Sequence, residues 1–139
     1  MQITFDIPAD RIANLMTSAM EGGDPVTCAS RGGWCTAINL RGLWEKRANE
    51  LQEYWYADPK LYASREFTIE VVELIDESKP ATGSNLKKHK CNAKDFAKGF
   101  HTMAKVFPHA FCQVISDDMD APCADAFLQS MLFGEEKYA

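Results

Sequence analysis

Apolar side chains between residues 96 and 132 recur every three or four positions, which is the spacing of one face of an α-helix. They fall into three groups, separated by Pro108 and by a turn rich in aspartate: Phe96, Phe100, Met103, Ala104 and Phe107; Ala110, Phe111, Val114 and Ile115; and Cys123, Ala124, Phe127, Leu128, Met131 and Leu132. Asn92 with Asp95 predicts a capped start for the first helix, and Asp120 predicts a cap for the third, which Gly134 ends. The pattern predicts three helices.

The beginning of the chain combines both periodicities. Apolar and polar residues alternate over residues 3–7, which predicts a short half-buried strand. From Pro8, helical spacing predicts a helix that ends at Gly22-Gly23, with the apolar face Ile12, Leu15, Met16, Ala19 and Met20.

Three further segments read as strands and one as a helix. Residues 34–40 and 67–72 alternate apolar and polar side chains, and residues 86–91 carry three lysines, as an edge strand often does. Residues 43–56 show helical spacing and are rich in Glu, Gln, Arg and Leu, and Asp58-Pro59 is predicted to stop this helix.

The order of these elements predicts a single α+β domain over residues 1–139. Strands come early and helices cluster late, so we expect a small antiparallel sheet packed against four to five helices, with a helical C-terminal third. Residues 24–56 are interpreted as an inserted or mobile segment. Residues 76–90, which contain Pro80 and Gly83, are interpreted as a flexible loop.

The charge and the cysteine content indicate which partners and which cellular compartment to expect. The chain has 20 acidic and 15 basic residues, a net charge of −5, so the average charge gives no reason to expect direct binding to nucleic acid or to an anionic membrane. An acidic chain is better matched to a partner protein with a basic surface. Five cysteines, an odd number, and the absence of a basic, apolar start predict reduced thiols in the cytoplasm. No apolar stretch has the length of a membrane-spanning helix.

Metal and catalytic chemistry find little support in the residue spacing. Cys28 and Cys35 are too far apart for a usual zinc pair, and His89 with Cys91 has no matching second pair. His101 and His109 are candidate bases for Cys112 or Cys123 in nucleophilic catalysis, but histidines with a structural role at a helix end are commoner. We therefore expect no metal, no cofactor and no enzymatic activity.

Two groups of side chains are candidates for a partner-binding surface. The acidic group comprises Asp117, Asp118, Asp120, Glu135 and Glu136, and the alternative for it is a set of caps and solvated charges. The aromatic group comprises Trp34, Tyr54 and Tyr56, since exposed Trp and Tyr often anchor interfaces, and the alternative for it is core packing.

Several short motifs resemble a family of small proteins that phages and prophages encode, mostly of unassigned function. The resemblance covers most of the chain and is loose over residues 24–54. It rests on Glu21-Gly22-Gly23, on Tyr56-Ala57-Asp58-Pro59 before the strand at 67–73, on Gly99 with Met103-Ala104 and Phe107-Pro108, and on Asp125-Ala126-Phe127-Leu128-Gln129 with Phe133-Gly134-Glu135.

The resemblance implies a phage protein of the host cytoplasm that counters host defence, as anti-CRISPR proteins do by binding rather than by chemistry. On this interpretation the chain inhibits a host defence complex, with a CRISPR effector as the first candidate. Two alternatives remain open: a sponge that sequesters a nucleotide immune signal, and a structural or regulatory phage protein that forms a homodimer.

Overall fold

A computed structural model describes residues 6–21, 33–41, 55–64 and 66–138. In these residues five helices accompany three strands. They are, in chain order, α1 (Ala9–Glu21), β1 (Cys35–Arg41), α2 (Pro59–Ala63), β2 (Thr68–Leu74), β3 (Leu86–Asn92), α3 (Ala93–Val106), α4 (Pro108–Ile115) and α5 (Ala121–Phe133). The predicted α+β class with a helical final third is confirmed.

The three strands form one antiparallel sheet in the order β1-β2-β3. Val71 of β2 lies opposite Ile38 of β1 and His89 of β3, which fixes the register across the sheet. A bulge between Cys35 and Ala37 interrupts the pairing of β1 with β2. The strands predicted at 34–40, 67–72 and 86–91 are confirmed within two residues at each end.

The helices pack on the sheet through a continuous set of aromatic rings. Phe96 of α3 lies edge-on to Phe67, with 4.9 Å between ring centroids, and also contacts Phe127 of α5 at 5.3 Å. Phe100 stacks on Phe127 at 4.4 Å. All four rings are buried, so they link the start of β2 to both long helices of the final third.

Gly99 allows α3 and α5 to approach closely. A Cβ atom at this position would lie 2.8 Å from Cβ of Met131 and 3.1 Å from a ring carbon of Phe127. No side chain fits at such a distance, so the glycine sets the separation of the two helices.

The ends of the helices follow the predicted caps. The Asn92 side chain accepts from the backbone N–H of Asp95 at 3.2 Å, and the Asp95 carboxylate accepts from the backbone N–H of Asn92 at 2.8 Å. Asp120 caps α5 by accepting from the backbone N–H of Cys123 at 2.9 Å. Gly134 ends α5 with φ +71°.

Asp58 and Pro59 begin a helix, which the sequence interpretation missed. Asp58 accepts from the backbone N–H of Lys60 at 2.9 Å, and Pro59 occupies the first turn of α2. An Asp-Pro pair suits a helix start as well as a helix end, because the proline lacks an N–H that the first turn does not need. Residues 55–57 just before it form a 3₁₀ turn.

The segment interpreted as a flexible loop divides into a closed turn and a strand. Residues 86–90 belong to β3. The turn before them is held by Asn85, whose amide accepts from the backbone N–H of Asp76 at 2.9 Å and donates to the carbonyls of Asp76 and Pro80, each at 3.0 Å.

Other predicted elements fall partly or wholly outside the described residues. These are most of the strand at 3–7, most of the helix at 43–56, and most of the inserted segment at 24–56. None of the described helices combines the length and the apolar character that crossing a membrane requires.

Candidate functional site

A buried group of polar contacts surrounds Glu73, near the end of β2. Its side chain is 1% exposed. Oε2 accepts from Nζ of Lys137 at 2.7 Å and from the hydroxyl of Tyr138 at 2.5 Å. Oε1 lies 2.9 Å from Nε2 of His89 on the neighbouring strand. We call Glu73 and these three partners the Glu73 cluster.

The contacts in this cluster hold Glu73 in its charged form. Burial alone would raise the pKa of the carboxyl group. Hydrogen bonds from Lys137, Tyr138 and His89 outweigh burial and lower the pKa to about 2. The same contact raises the pKa of the Lys137 ammonium. Glu73 is therefore an anion whose lone pairs are already engaged.

Gln129 of α5 binds the segment that follows the helix. Its carbonyl oxygen accepts from the backbone N–H groups of Lys137 and Tyr138, both at 2.8 Å. Its amide donates to the carbonyl of Tyr138 at 2.9 Å and to Asp125 at 2.7 Å. The polypeptide after Gly134 thus folds back along α5. The Gln129 side chain supplies the hydrogen bonds to its backbone that a neighbouring strand would supply in a sheet.

Trp34 completes the attachment of this segment. Its indole stacks on the Tyr138 ring, with 5.4 Å between centroids and 4° between planes, and meets Phe133 edge-on at 5.4 Å. Its Nε1–H donates to Asp125 at 2.7 Å. Nζ of Lys137 lies 4.7 Å from the centre of the Phe133 ring. Trp34, the residue just before β1, therefore meets side chains of α5 and of the segment that binds Glu73.

A groove of about 400 Å³ opens beside this network, between α4 and α5. Its walls are mainly apolar, and its polar lining includes Asp125 and Glu136. Other lining residues are Phe107, Pro108, His109, Ala110, Gln113, Pro122, Cys123, Ala126 and Gln129. Burial raises the pKa of Asp125, and Glu136 adds to that rise, although the bonds from Trp34 and Gln129 oppose it. A cation in the groove would relieve this repulsion between two carboxylates.

The predicted acidic residues lie at both ends of α5, near this groove. Asp117, Asp118 and Asp120 share the turn between α4 and α5, and all three are exposed. Glu135 and Glu136 are exposed just after α5, where the folded-back segment brings Glu136 to the groove. We call Asp117, Asp118, Asp120, Asp125, Glu135 and Glu136 the acidic surface.

The acids of the turn differ in their structural tasks. Asp117 adopts a left-handed backbone with φ +57°, and its side chain accepts from the amide of Asn14 at 3.2 Å. Asp120 is the cap of α5. The backbone N–H of Asp118 donates to the carbonyl of Gln113 at 2.9 Å. Within the described residues, no lysine or arginine forms an ion pair with the acidic surface.

The aromatic part of the predicted contact surface needs a correction. Trp34 was expected as an exposed anchor, but its exposure is 0%, because the stacking on Tyr138 and the bond to Asp125 enclose it. Tyr56 is half-buried, and its carbonyl accepts from the hydroxyl of Tyr62 at 2.9 Å. Tyr54 lies outside the described residues.

Sequence reasoning missed the Glu73 cluster and Gln129. Glu73 is one of three polar residues in β2, and Lys137 with Tyr138 follow the last helix without any periodic pattern. The available signal was weak. Gln129 falls among the apolar positions of α5, where a polar residue on the buried side of a helix requires a hydrogen-bonding partner.

The thiols and histidines do not assemble a reactive or metal-binding group in the part of the chain that the structure describes. No three side chains of His, Cys, Asp or Glu are grouped there as metal ligands would be. Cys35, Cys91 and Cys123 are buried, and Cys112 is exposed. The Cys123 thiol donates to the carbonyl of Ala110 at 3.3 Å.

The chain matches no family model, no curated protein and no solved structure. Function is therefore argued from the geometry and charge of the described residues.

Proposed function

We propose that this protein is a non-catalytic binding protein whose acidic surface docks on a basic surface of a partner protein. The observation that carries this proposal is the set of exposed acids at both ends of α5, together with Asp125 and Glu136, which line the groove between α4 and α5. From Asp117 to Glu136 the sequence has six acidic residues and no lysine or arginine. Exposed charges of one sign without ion-pair partners favour a binding partner of the opposite sign.

The groove suits a long basic side chain of that partner. Phe107, Pro108 and Ala126 offer apolar walls to the aliphatic stem of a lysine or arginine, and Asp125 and Glu136 offer carboxylates to its charged end. A cation placed there would replace carboxylate repulsion with attraction. Asp118 and Asp120 would then meet further basic residues around the groove.

The state of the buried acids favours binding over catalysis. Glu73 is engaged by three donors, and both oxygens of Asp125 already accept hydrogen bonds, from Trp34 and from Gln129. A general base needs a lone pair within reach of a substrate proton. These carboxylates hold the 135–138 segment against the sheet and shape the groove, so their contacts explain them without a reaction.

The resemblance to small phage proteins extends the proposal to a class of partner. We propose that the partner is a host defence complex in the cytoplasm of the infected cell, with a CRISPR effector as the first candidate. Such complexes carry basic grooves that hold nucleic acid, and an acidic protein can occupy a groove of this kind. Inhibition would be stoichiometric.

A phage-protection assay tests this function. The protein is expressed in a host with an active CRISPR system, which is then challenged with a phage that the system targets. Wild type should restore plaques, and the Asp118→Lys/Glu136→Lys variant should not. The Glu66→Lys/Glu77→Lys variant makes the same change in net charge at exposed sites elsewhere and should act as wild type.

Two results would overturn the proposal. One is a failure of the wild-type protein to restore plaques across a panel of hosts with different defence systems. The other is full protection by the Asp118→Lys/Glu136→Lys variant, which would remove the acidic surface from the mechanism. Asp120 is kept in the variant because it caps α5, so that a loss of folding cannot imitate a loss of binding.

A further inference from the structure

Although the net charge of the chain is −5, one stretch of it is strongly basic. Residues 87–105 contain six lysines and one acid, Asp95: Lys87, Lys88, Lys90, Lys94, Lys98 and Lys105. All six lysines are exposed. The Asp95 carboxylate accepts from the backbone N–H of Asn92 at 2.8 Å, so it serves the helix cap. We call these six lysines the basic surface.

Four basic or titratable residues form a row along α3. Lys94, Lys98, His101 and Lys105 are spaced by four, three and four residues, which places them on one side of the helix. All four are exposed, whereas Phe96, Phe100 and Met103 on the other side are buried. The row is roughly 16 Å long at 1.5 Å per residue.

The remaining lysines lie on the strand that leads directly into α3. Lys87, Lys88 and Lys90 belong to β3, which is the edge of the described sheet, and Asn92 joins the strand to the helix. Because successive side chains of a strand point to opposite faces, Lys87 lies on one face of the edge and Lys88 and Lys90 lie on the other. The lysines thus surround the edge.

The acids nearest to the basic surface along the sheet are buried: Glu70 and Glu73 lie opposite Lys90 and Lys87. None of the six lysines forms an ion pair with a residue that the structure describes. Lysines four apart on a helix repel each other, as Lys94 and Lys98 must. The chain has 20 acidic residues, yet residues 87–105 contain one of them. An anionic partner would supply the missing charge.

We propose that the basic surface binds the phosphate backbone of a nucleic acid. Its composition separates this partner from an acidic protein. Protein interfaces rely on aromatic residues and arginine and are poor in lysine, and residues 87–105 contain no arginine and expose no large aromatic ring. Lysines act as point charges on phosphates, and a row of about 16 Å runs beside about five phosphates of one strand. The same composition predicts no reading of base sequence, since stacking and bidentate contacts are missing.

Fluorescence anisotropy with a labelled DNA duplex of about 20 base pairs, and in parallel with a single strand of about 20 nucleotides, tests this proposal. The affinity is measured from about 50 to about 200 mM NaCl, which gives the slope of log affinity against log salt concentration. We expect binding at the lowest salt that weakens steeply as salt rises. Lys94→Gln/Lys98→Gln should weaken duplex binding about tenfold or more at the lowest salt and reduce the salt slope by about 1.8. The matched control, Lys60→Gln/Lys79→Gln, removes the same charge from exposed sites elsewhere and should bind as wild type.

The strand lysines and a second polymer complete the test. Lys87→Gln/Lys90→Gln should also weaken binding, and circular dichroism should show that each variant folds. The proposal fails if wild type binds neither nucleic acid at the lowest salt, or if the control loses as much affinity as the α3 variant. It also fails if poly-glutamate of the same charge binds as tightly as DNA, because the surface would then fit an acidic protein. The phage-protection assay uses other variants, so its result does not depend on whether the basic surface binds nucleic acid.

Discussion

Nζ of Lys137 donates to the carboxylate of Glu73 at 2.7 Å, although the two residues are 64 positions apart in the chain. Tyr138 donates to the same oxygen. These bonds join the segment after α5 to the middle strand of the sheet, and they also place Glu136 at the groove. The shape of the proposed binding site therefore depends on a buried carboxylate that does not itself line it.

Replacing Glu73 by glutamine should destabilise the fold by about 2–3 kcal/mol, because buried bonds between donors and a charged acceptor are worth more than neutral ones. Urea unfolding followed by circular dichroism measures the change. The matched control is Glu77→Gln at an exposed position, which should stay within about 0.5 kcal/mol of wild type. Equal stability of the two variants would show that the Glu73 cluster contributes little.

The contribution of Glu73 should depend on pH in a defined direction. Its pKa is lowered from 4.5 to about 2 in the folded protein. A lowered folded pKa means that the stabilisation is fully present above the unfolded value and is lost as pH falls through the folded one. The difference in unfolding free energy between wild type and Glu73→Gln should therefore be constant near neutral pH and shrink between pH 4.5 and 2. A difference that stays constant over that interval would contradict this assignment.

Asp125→Ala should cost about 1–3 kcal/mol, because the buried indole N–H of Trp34 loses its acceptor. Gln129 loses one acceptor at the same time. Thermal or urea unfolding measures the loss. Asp125→Asn is the informative companion, since its side-chain carbonyl can still accept from Trp34, and it should retain more stability than the alanine variant. The reverse order would contradict a stabilising role for the bond from the Trp34 indole.

Gly99→Ala should destabilise the protein by about 1–3 kcal/mol through overpacking between α3 and α5. The direction is diagnostic, because alanine is favoured over glycine by about 1 kcal/mol in an unhindered helix. The neighbouring exposed Lys98→Ala substitution is the control and should change stability by less than about 0.5 kcal/mol. A stabilised Gly99→Ala protein would contradict the 2.8 Å approach of Met131.

The described thiols should differ sharply in reactivity. Burial raises the pKa of Cys91 and of Cys123 to about 11, and a nearby aspartate adds to each rise. Cys35 is buried and Cys112 is exposed. In a Cys28→Ser background, a disulfide reagent at mildly alkaline pH should titrate one thiol per chain rapidly, and the further substitution Cys112→Ser should remove it. Rapid reaction of two or more thiols would contradict the described burial.

Local signals explain why much of the fold could be predicted from the sequence. Asn92, Asp120 and Gly134 act within a few residues of their own positions, so their capping roles follow from short-range geometry. The alternating pattern of β2 is equally local. The helix start at Asp58-Pro59 was missed because the same pair fits the end of one helix and the first turn of another, and only the residues that follow show that a helix begins there.

The candidate site was harder to predict because its contacts cross the chain. Trp34 and Asp125 are 91 positions apart, and Glu73 and Tyr138 are 65 apart. No pattern within a window of residues encodes such a pair. The exposure of an aromatic residue likewise depends on what packs against it, and the Tyr138 ring that covers Trp34 is far from it in the sequence.

The central claim, that the acidic surface binds a basic partner, is tested most directly by a quantitative pull-down. Tagged wild type, Asp118→Lys/Glu136→Lys and Glu66→Lys/Glu77→Lys are each used to capture proteins from a defence-proficient host lysate, and mass spectrometry quantifies the recovered proteins. We predict that wild type and the Glu66/Glu77 variant recover the same subunit of a defence complex and that the Asp118/Glu136 variant does not. Equal recovery by all three proteins, or recovery of no defence subunit by wild type, would contradict the account.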